Sequence, residues 1–274
     1  MTRALIIHAT DLAAGSDGAF HHALKLALVQ RARLRLVHVH ERDGAAAPIE
    51  AFPHVRQTLA KWGLMAPGAP AEALDAELGL AVSKAEAVAS RPEAALEHLV
   101  ADAAPQLIVL GTRGADGLEL LRQASFAETL ARHARAPALF VPQGARGFVG
   151  AEDGALRLNN VLVPIAHAPD PAPALEAAYR LLDVLASGAR IHVLHVGEAA
   201  ATPPLHLPGP RPHTELARQG PVVETIVSVA DEVDADLIVM ATAGHQSLLD
   251  SLRGSTTERV LRRARRPLLA VPAG

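Results

Sequence analysis

An internal repeat is the feature of this sequence that most restricts its fold. Residues 107–142 align without a gap on residues 237–272, and 15 of these 36 positions are identical. The earlier parts match too, because Val37–Val39 corresponds to Leu194–Val196 at an offset of 157 rather than 130. A period of this length indicates two copies of one structural unit.

The copies set the expected domain boundaries. The chain has 274 residues, which is long for a single core and suits one large or two ordinary domains. We expect domain 1 at residues 1–145 and domain 2 at residues 158–274. Gln143–Leu158, rich in glycine and charge, is the predicted linker. The second copy is shorter by 157 − 130 = 27 residues between its second and fourth strands.

Each copy alternates short apolar runs with segments of helical periodicity. Continuous apolar runs are typical of parallel strands buried on both faces. The expected strands are Leu5–Ala9, Leu34–Val39, Ala85–Val88, Leu107–Leu110 and Ala138–Val141, then Val161–Ile165, Ile191–Val196, His213–Ala217, Leu237–Met240 and Leu268–Val271. The alternation predicts an α/β fold of two tandem doubly wound domains, each with a five-stranded parallel sheet.

The last strand of each copy is expected at the interface between the copies. Ala138–Val141 and Leu268–Val271 are apolar, and an unpaired apolar edge favours association. Pairing within one chain would cover both edges. We therefore predict an intramolecular pseudo-dimer, and a homodimer of the whole chain is an additional possibility.

The copies differ most after their second strands. The first copy has extra helical material at Ile49–Leu64, and a further helix is expected to open at Ser90–Pro92. The second copy instead has Ala199–Pro212, which contains five prolines. Such a segment cannot be a helix interior, so it is either a tight surface excursion or a mobile loop.

Composition excludes several classes of protein. The absence of cysteine excludes disulfides, cysteine–zinc sites and thiol catalysis. With 26 basic and 29 acidic residues, the chain does not suit nucleic acid or an anionic membrane. No apolar run approaches the roughly 20 residues of a membrane span, and the start lacks a signal peptide's apolar core. A cytoplasmic protein is expected.

A glycine-containing loop after the fourth strand is the main candidate for ligand binding. In the first copy the loop begins with Gly111–Gly114, and after nine further residues come Ala124 and Ser125. In the second copy it begins with Ala241–Gly244, and after nine further residues come Gly254 and Ser255. Each serine precedes a glutamate by three residues, which is a capping box. The start of a helix beside glycines can bind an anion. The alternative is that the serine only caps a helix and the glycines only turn a loop; the equal spacing in both copies favours the anion site.

This layout, with its closing Pro-x-x-x-Val-Pro, resembles the universal stress protein family. Leu237–Pro272 is the most specific stretch, and the resemblance covers nearly all of both copies. It implies a tandem member with the Rossmann-like fold of the adenine nucleotide alpha hydrolases. It also implies a cytoplasmic stress-response module that binds ATP, with or without magnesium, or a related adenine nucleotide. Family members divide into ATP binders and non-binders, the glycine motif marks the binders, and they commonly dimerise through the last strand.

The resemblance assigns candidate nucleotide-binding residues to each copy. In domain 2 these are Val196, Met240, Gly244, Gly254, Ser255, Thr256 and Thr257. In domain 1, the less favoured site, they are Ala9, Thr10, Asp11, Val39, Gly111, Gly114 and Ser125.

Both copies depart from the family pattern. The first has Ala124, Phe126 and Ala127 around its serine, whereas the second has Ala166 for the aspartate and Ala241 for the first glycine. The first copy thus retains the nucleoside side, and the second retains the phosphate side.

Other polar clusters have simpler explanations. His8, His38 and His40 could suggest a metal site, but polar residues lining the cleft at strand ends explain them as well, and no metal is expected. Four arginines, at 262, 263, 265 and 266, suit the C-terminal end of a helix. His8 with Asp11 lacks a nucleophile-elbow serine, so we expect no catalytic residue and at most slow ATP hydrolysis.

Two classes of function remain open. One is a nucleotide-binding stress or signalling module. The other is a protein-interaction module whose nucleotide sites have degenerated.

Overall fold

The structure is a computed structural model that describes residues 3–12, 17–41, 48–89, 100, 102–112, 136–185, 188–243 and 255–273. The strands are β1 (Leu5–Ala9), β2 (Arg33–Glu41), β3 (Ala81–Ala89), β4 (Leu107–Thr112), β5 (Ala138–Pro142), β6 (Asn160–Ile165), β7 (Arg190–Val196), β8 (His213–Arg218), β9 (Leu237–Ala243) and β10 (Leu268–Ala273). The helices are α1 (Asp17–Val29), α2 (Val55–Lys61), α3 (Ala73–Leu78), α4 (Ala172–Val184), α5 (Val222–Glu232) and α6 (Thr256–Arg263). No helix in these ranges is long and apolar enough to cross a membrane.

All ten strands form one sheet, in the order β3-β2-β1-β4-β5-β10-β9-β6-β7-β8. Each half has the same parallel, doubly wound order, which confirms the predicted fold class. Strand order reverses between β1 and β4 in the first copy and between β6 and β9 in the second. In such sheets, ligands bind beyond the carboxyl ends of the strands at these two points.

The two copies join through their last strands, as predicted. β10 pairs antiparallel with β5, and Leu269 lies opposite Leu139. Each face of the sheet carries one apolar core that contains residues of both copies. One core packs under α1 and α4 and the other under α5 and α6. The pairing therefore covers both apolar edges and makes the cores continuous.

The predicted strands agree with the structure, with one notable difference in length. β3 begins at Ala81, four residues before the predicted start. Ser83 and Lys84 interrupt the apolar pattern there, yet they pair in register with β2. Polar residues are compatible with this strand because β3 lies at the edge of the sheet. The helix expected to open at Ser90–Pro92 lies outside the described residues.

The segments after β2 and β7 differ as predicted. In the first copy, Ile49–Ala51 forms a short 3₁₀ turn, and α2 leads to the buried Trp62. In the second copy, the proline-rich segment makes one 3₁₀ turn at Ala199–Ala201. Leu205 and Leu207 then pack against the core, which makes this segment a surface excursion.

The predicted linker is a packed element, and we call residues 143–158 the strap. Phe148 in the strap is fully buried, and its N–H donates to His22 Nε2 at 3.1 Å. The indole Nε1 of Trp62 donates to Ala151 O at 3.1 Å. These contacts fasten the strap to the first copy.

The strap also contacts the second copy. The Arg146 guanidinium donates to both Asp234 and Asp236 at 3.2 Å. The buried Asp236 carboxylate also accepts the N–H groups of Asn159 and Asn160, at 2.7 and 3.1 Å. The strap therefore contacts both copies.

Candidate functional site

In the first copy, the predicted nucleoside-side residues lie together at the carboxyl ends of β1, β2 and β4. Ala9 lies opposite Val37 on one side and opposite Leu110 on the other. The Thr10 N–H donates to Val37 O at 2.9 Å, and the Thr10 hydroxyl accepts the Leu12 N–H at 3.1 Å. Hydrogen bonds with the backbone of Val37 and Leu12 thus fix the position of Thr10.

The other predicted residues of this copy are only partly described. Asp11 is exposed directly after β1, Val39 lies in β2, and Gly111 lies in β4. Gly114 and Ser125 lie outside the described residues. The first copy therefore places its candidate nucleoside-side residues together at the carboxyl ends of its strands.

His8 lies below this edge and is fully buried. Its Nδ1 donates to Val109 O at 3.0 Å, while Nε2 has no partner among the described residues. Burial lowers the pKa of His8 to about 4, although the Val109 carbonyl and Asp11 act against this. His8 is therefore neutral at pH 7 and only weakly basic, and its Nδ1 proton is engaged by the Val109 carbonyl, so it is poorly suited to acid–base chemistry with Asp11.

His22, under the strap, is neutral for the same reason. Its Nδ1 donates to Gly18 O at 2.6 Å, and its Nε2 accepts from Phe148. Burial lowers the pKa of His22 to about 4, against the opposing effect of the Gly18 carbonyl. A second proton would require breaking the bond to the strap.

Acidification from pH 7 to pH 5 is therefore expected to destabilise the fold. Both folded-state pKa values lie below the unfolded value of about 6.5, so the unfolded state binds more protons. The stabilisation is complete above pH 6.5 and is lost as the pH falls toward 4. Each histidine should cost about 2 kcal/mol at pH 5. Urea unfolding at both pH values measures the difference.

His8→Val is the matched control for this measurement. In the second copy, Val163 lies opposite Val193, as His8 lies opposite Leu36, so valine suits this position of the fold. The variant should lose about 2 kcal/mol less than the wild type between pH 7 and pH 5. An equal loss in both proteins would show that His8 does not contribute.

In the second copy, the strands at the reversal point separate early. The β6–β9 pairing ends at Leu162 opposite Ile238, whereas the β1–β4 pairing continues to Ala9 opposite Leu110. Pro164 in the rest of β6 has no N–H to donate. Of the predicted residues, Val196 ends β7 and is half-buried, and Met240 is buried in β9. The ladder therefore opens on the side where a ligand would enter.

The predicted capping serine begins α6. Ser255 is the N-cap, and its hydroxyl accepts the Glu258 N–H at 3.0 Å. Thr256 and Thr257 form the first turn, where backbone N–H groups have no partner within the helix. Gly244 and Gly254 lie outside the described residues. The cap that was predicted from the three-residue spacing is confirmed, and its role in binding an anion stays a prediction.

Sequence reasoning missed what surrounds Ala166, the position of the lost aspartate. Ala166 and His167 line a cavity of about 260 Å³ together with Pro203 and His206 of the proline-rich segment. His167 Nε2 lies 3.0 Å from Ala201 O and joins the two segments. The five prolines were the only signal in the sequence, and they exclude a helix without indicating what the segment packs against.

The remaining polar clusters are engaged with protein. His38 Nδ1 lies 2.9 Å from Thr10 O, and the side chain of His40 is outside the description. No group of three histidines or carboxylates that could hold a metal exists within the described ranges. Arg262 and Arg263 lie in the last turn of α6, as expected, and pair with glutamates.

The other two arginines follow α6. Arg266 pairs with Asp231 at 3.4 Å and with Asp234 at 2.9 Å, and it also donates to the Ala235 carbonyl. These contacts tie the end of α6 to α5 and support a structural role for the basic cluster.

Comparisons with known proteins give a consistent result. The model described as the Universal stress protein family matches residues 4–142 and 206–272, more than half of the chain. No curated protein sequence matches significantly. A solved universal stress protein from Archaeoglobus fulgidus DSM 4304 is 17% identical, covers 98% of this chain and 96% of its own, and has a TM-score of 0.66. A functionally unknown protein from Pseudomonas aeruginosa PAO1 is 16% identical, covers 99% and 93%, and has a TM-score of 0.63. At these identities the two structures show the fold.

Proposed function

Because this chain belongs to the universal stress protein family, we propose that it is a stress-response module of the cytoplasm that binds an adenine nucleotide, with ATP as the favoured ligand. The site lies beyond the carboxyl ends of the strands in the second copy. Its phosphate side consists of Gly244, Gly254, Ser255, Thr256 and Thr257, and its nucleoside side includes Val196 and Met240.

The capped start of α6 is the observation that carries this proposal. A bound phosphate requires several oriented N–H and hydroxyl donors. Ser255, Thr256 and Thr257 supply three hydroxyl groups in consecutive positions at a helix start, directly after Gly254. The early end of the β6–β9 pairing supports the same location, since it opens the ladder at the reversal point.

The loss of the aspartate sets an expectation for specificity. Ala166 cannot accept a hydrogen bond from a ribose hydroxyl, as a carboxylate would. We therefore expect the second-copy site to tolerate changes in the nucleoside more than a site with the aspartate. Domain 1 keeps Asp11, but Ala124 stands in place of the family's glycine and Phe126 in place of a small or hydroxyl-bearing residue beside its serine.

A protein-interaction module without nucleotide is the second candidate function. The substitutions at Ala166 and Ala241 favour it, as does the proline-rich segment beside Ala166. The two candidates differ in what the purified protein contains. Protein isolated without added ligand, then denatured and analysed by chromatography, should release an adenine nucleotide, and ATP should bind in calorimetry after the nucleotide has been removed. A nucleotide-free preparation that gives no heat with millimolar ATP would favour the interaction module.

We also expect little ATP turnover. Efficient phosphoryl transfer needs positioned charge and a metal held by carboxylates or hydroxyls. Arg253 and Ser255 flank Gly254, so neither immediate neighbour of this glycine is acidic. A steady-state assay with magnesium should give a turnover number well below about 1 per second, the lower end for kinases. A faster rate that survives removal of contaminating ATPases would contradict this prediction.

A further inference from the structure

A second cavity lies in the part of the first copy that the second copy lacks. It has a volume of about 740 Å³, and none of the predicted nucleotide-binding residues lines it. Small-molecule sites typically have volumes of about 300–1,000 Å³. Residues of α2, of the turn that precedes α3, of α3 itself and of β3 line it, among them Val55, Arg56, Pro67, Leu74, Val82 and Lys84.

Apolar side chains form much of the wall. Val55 and Leu74 are buried and belong to the core under α1, and Val82 of β3 packs against the same core. Helices α2 and α3 stand on either side of the turn that carries Pro67. The apolar part of a ligand would be removed from water by packing against these side chains, and the core would not have to open to admit it.

Two cations also line the cavity. One of the five N–H donors of the Arg56 guanidinium donates to Ala69 O at 2.8 Å, and this hydrogen bond orients the side chain. The Lys84 ammonium lies 5.5 Å from the centre of the Phe52 ring. Burial lowers the pKa of Lys84, Glu50 acts against this, and Arg56 lowers it further. Arg56 and Lys84 are therefore close enough to influence each other electrostatically, and both line the same cavity.

The second copy provides an internal comparison for Lys84. Lys84 lies opposite Leu36 in the β2–β3 pairing, and Glu215 lies opposite Val193 in the equivalent β7–β8 pairing. Leu36 and Val193 correspond at the offset of 157. The edge strand of the second copy thus carries an acid where the first carries a cation. The cation at this register position is therefore specific to the edge strand of the first copy.

We propose that this cavity binds an amphipathic carboxylate, with its charged group between Arg56 and Lys84 and its apolar body against Val55, Leu74 and Val82. The nearby Glu50 offsets part of the positive charge, so a single negative charge fits better than a multiply charged phosphate. This site is separate from the proposed nucleotide site.

Calorimetric titration of the whole protein with decanoate tests the proposal. Decanoate should bind, and decanol, which has the same apolar body without the charge, should bind at least about tenfold more weakly. Lys84→Gln and Arg56→Gln should each weaken decanoate binding by about tenfold or more, because each removes one charge-assisted contact. Lys61→Gln is the matched control, since Lys61 pairs with Glu152 and does not line the cavity.

Each outcome decides for or against the site. Melting curves by circular dichroism confirm that the variants are folded, so weaker binding cannot come from unfolding. The proposal is wrong if decanoate fails to bind, if decanol binds equally well, or if Lys84→Gln and Lys61→Gln bind decanoate alike. ATP should not displace decanoate, and displacement would place decanoate in the nucleotide site instead.

Discussion

ATP binding is expected to be lost almost completely when Gly254 is replaced by valine and to be nearly unchanged when Gly114 is replaced by valine. Both glycines belong to the phosphate motif, one in each copy, although Gly114 corresponds in position to Gly244 and Gly254 to Ala124. A valine where the backbone must approach a phosphate obstructs that approach. In the second copy, this obstruction would keep the phosphate from the donors Ser255, Thr256 and Thr257.

In the first copy, Gly114→Val should change ATP binding less, because Ala124 and Phe126 stand beside the serine of that copy. Titration calorimetry of both variants with ATP measures the difference, with thermal unfolding as the test for folding. The missing aspartate at Ala166 costs one charge-assisted hydrogen bond of about 1.5–3 kcal/mol, so the wild-type affinity should be roughly tenfold to a hundredfold below that of a complete site. If Gly114→Val is the damaging change, the first copy binds the nucleotide.

Trp62→Ala is expected to destabilise the protein by about 3–5 kcal/mol. Trp62 is only 7% exposed, and its indole N–H donates to Ala151 O. A Cβ atom at Gly154 would lie 2.5 Å from the Trp62 ring, which shows how closely the strap approaches. The variant therefore loses both buried area and a contact with the strap.

Urea unfolding followed by circular dichroism measures this loss. Trp62→Phe should destabilise the protein less than Trp62→Ala, because phenylalanine keeps an aromatic ring at the buried position. It still lacks the N–H donor of tryptophan. Lys61→Gln is the neighbouring surface control, since its pair with Glu152 is exposed and worth at most about 1 kcal/mol. A cost for Trp62→Ala below that of Lys61→Gln would show that the strap contributes little to stability. Trp62 is also the single tryptophan, so its fluorescence reports on the strap in the wild type.

The candidate site contains one feature that neighbouring residues in the sequence predict and one that they do not. The spacing between Ser255 and Glu258 predicted a cap because a capping hydrogen bond depends on residues within one turn. The environment of Ala166 was not predictable in this way. The proline-rich segment reaches Ala166 from more than 30 positions away, and no local periodicity encodes that contact.

The sequence alone determined the repeat, the strand–helix alternation, the doubly wound fold class and the pairing of the last strands. These follow from periodicity within each element and from the need to cover two apolar edges. The tertiary structure decided that the linker is a packed strap, that His22 is neutral beneath it, and that Arg56 and Lys84 line one cavity. Each of these features joins residues distant in the chain, because burial and charge proximity depend on the packing of whole elements rather than on the order of neighbouring residues.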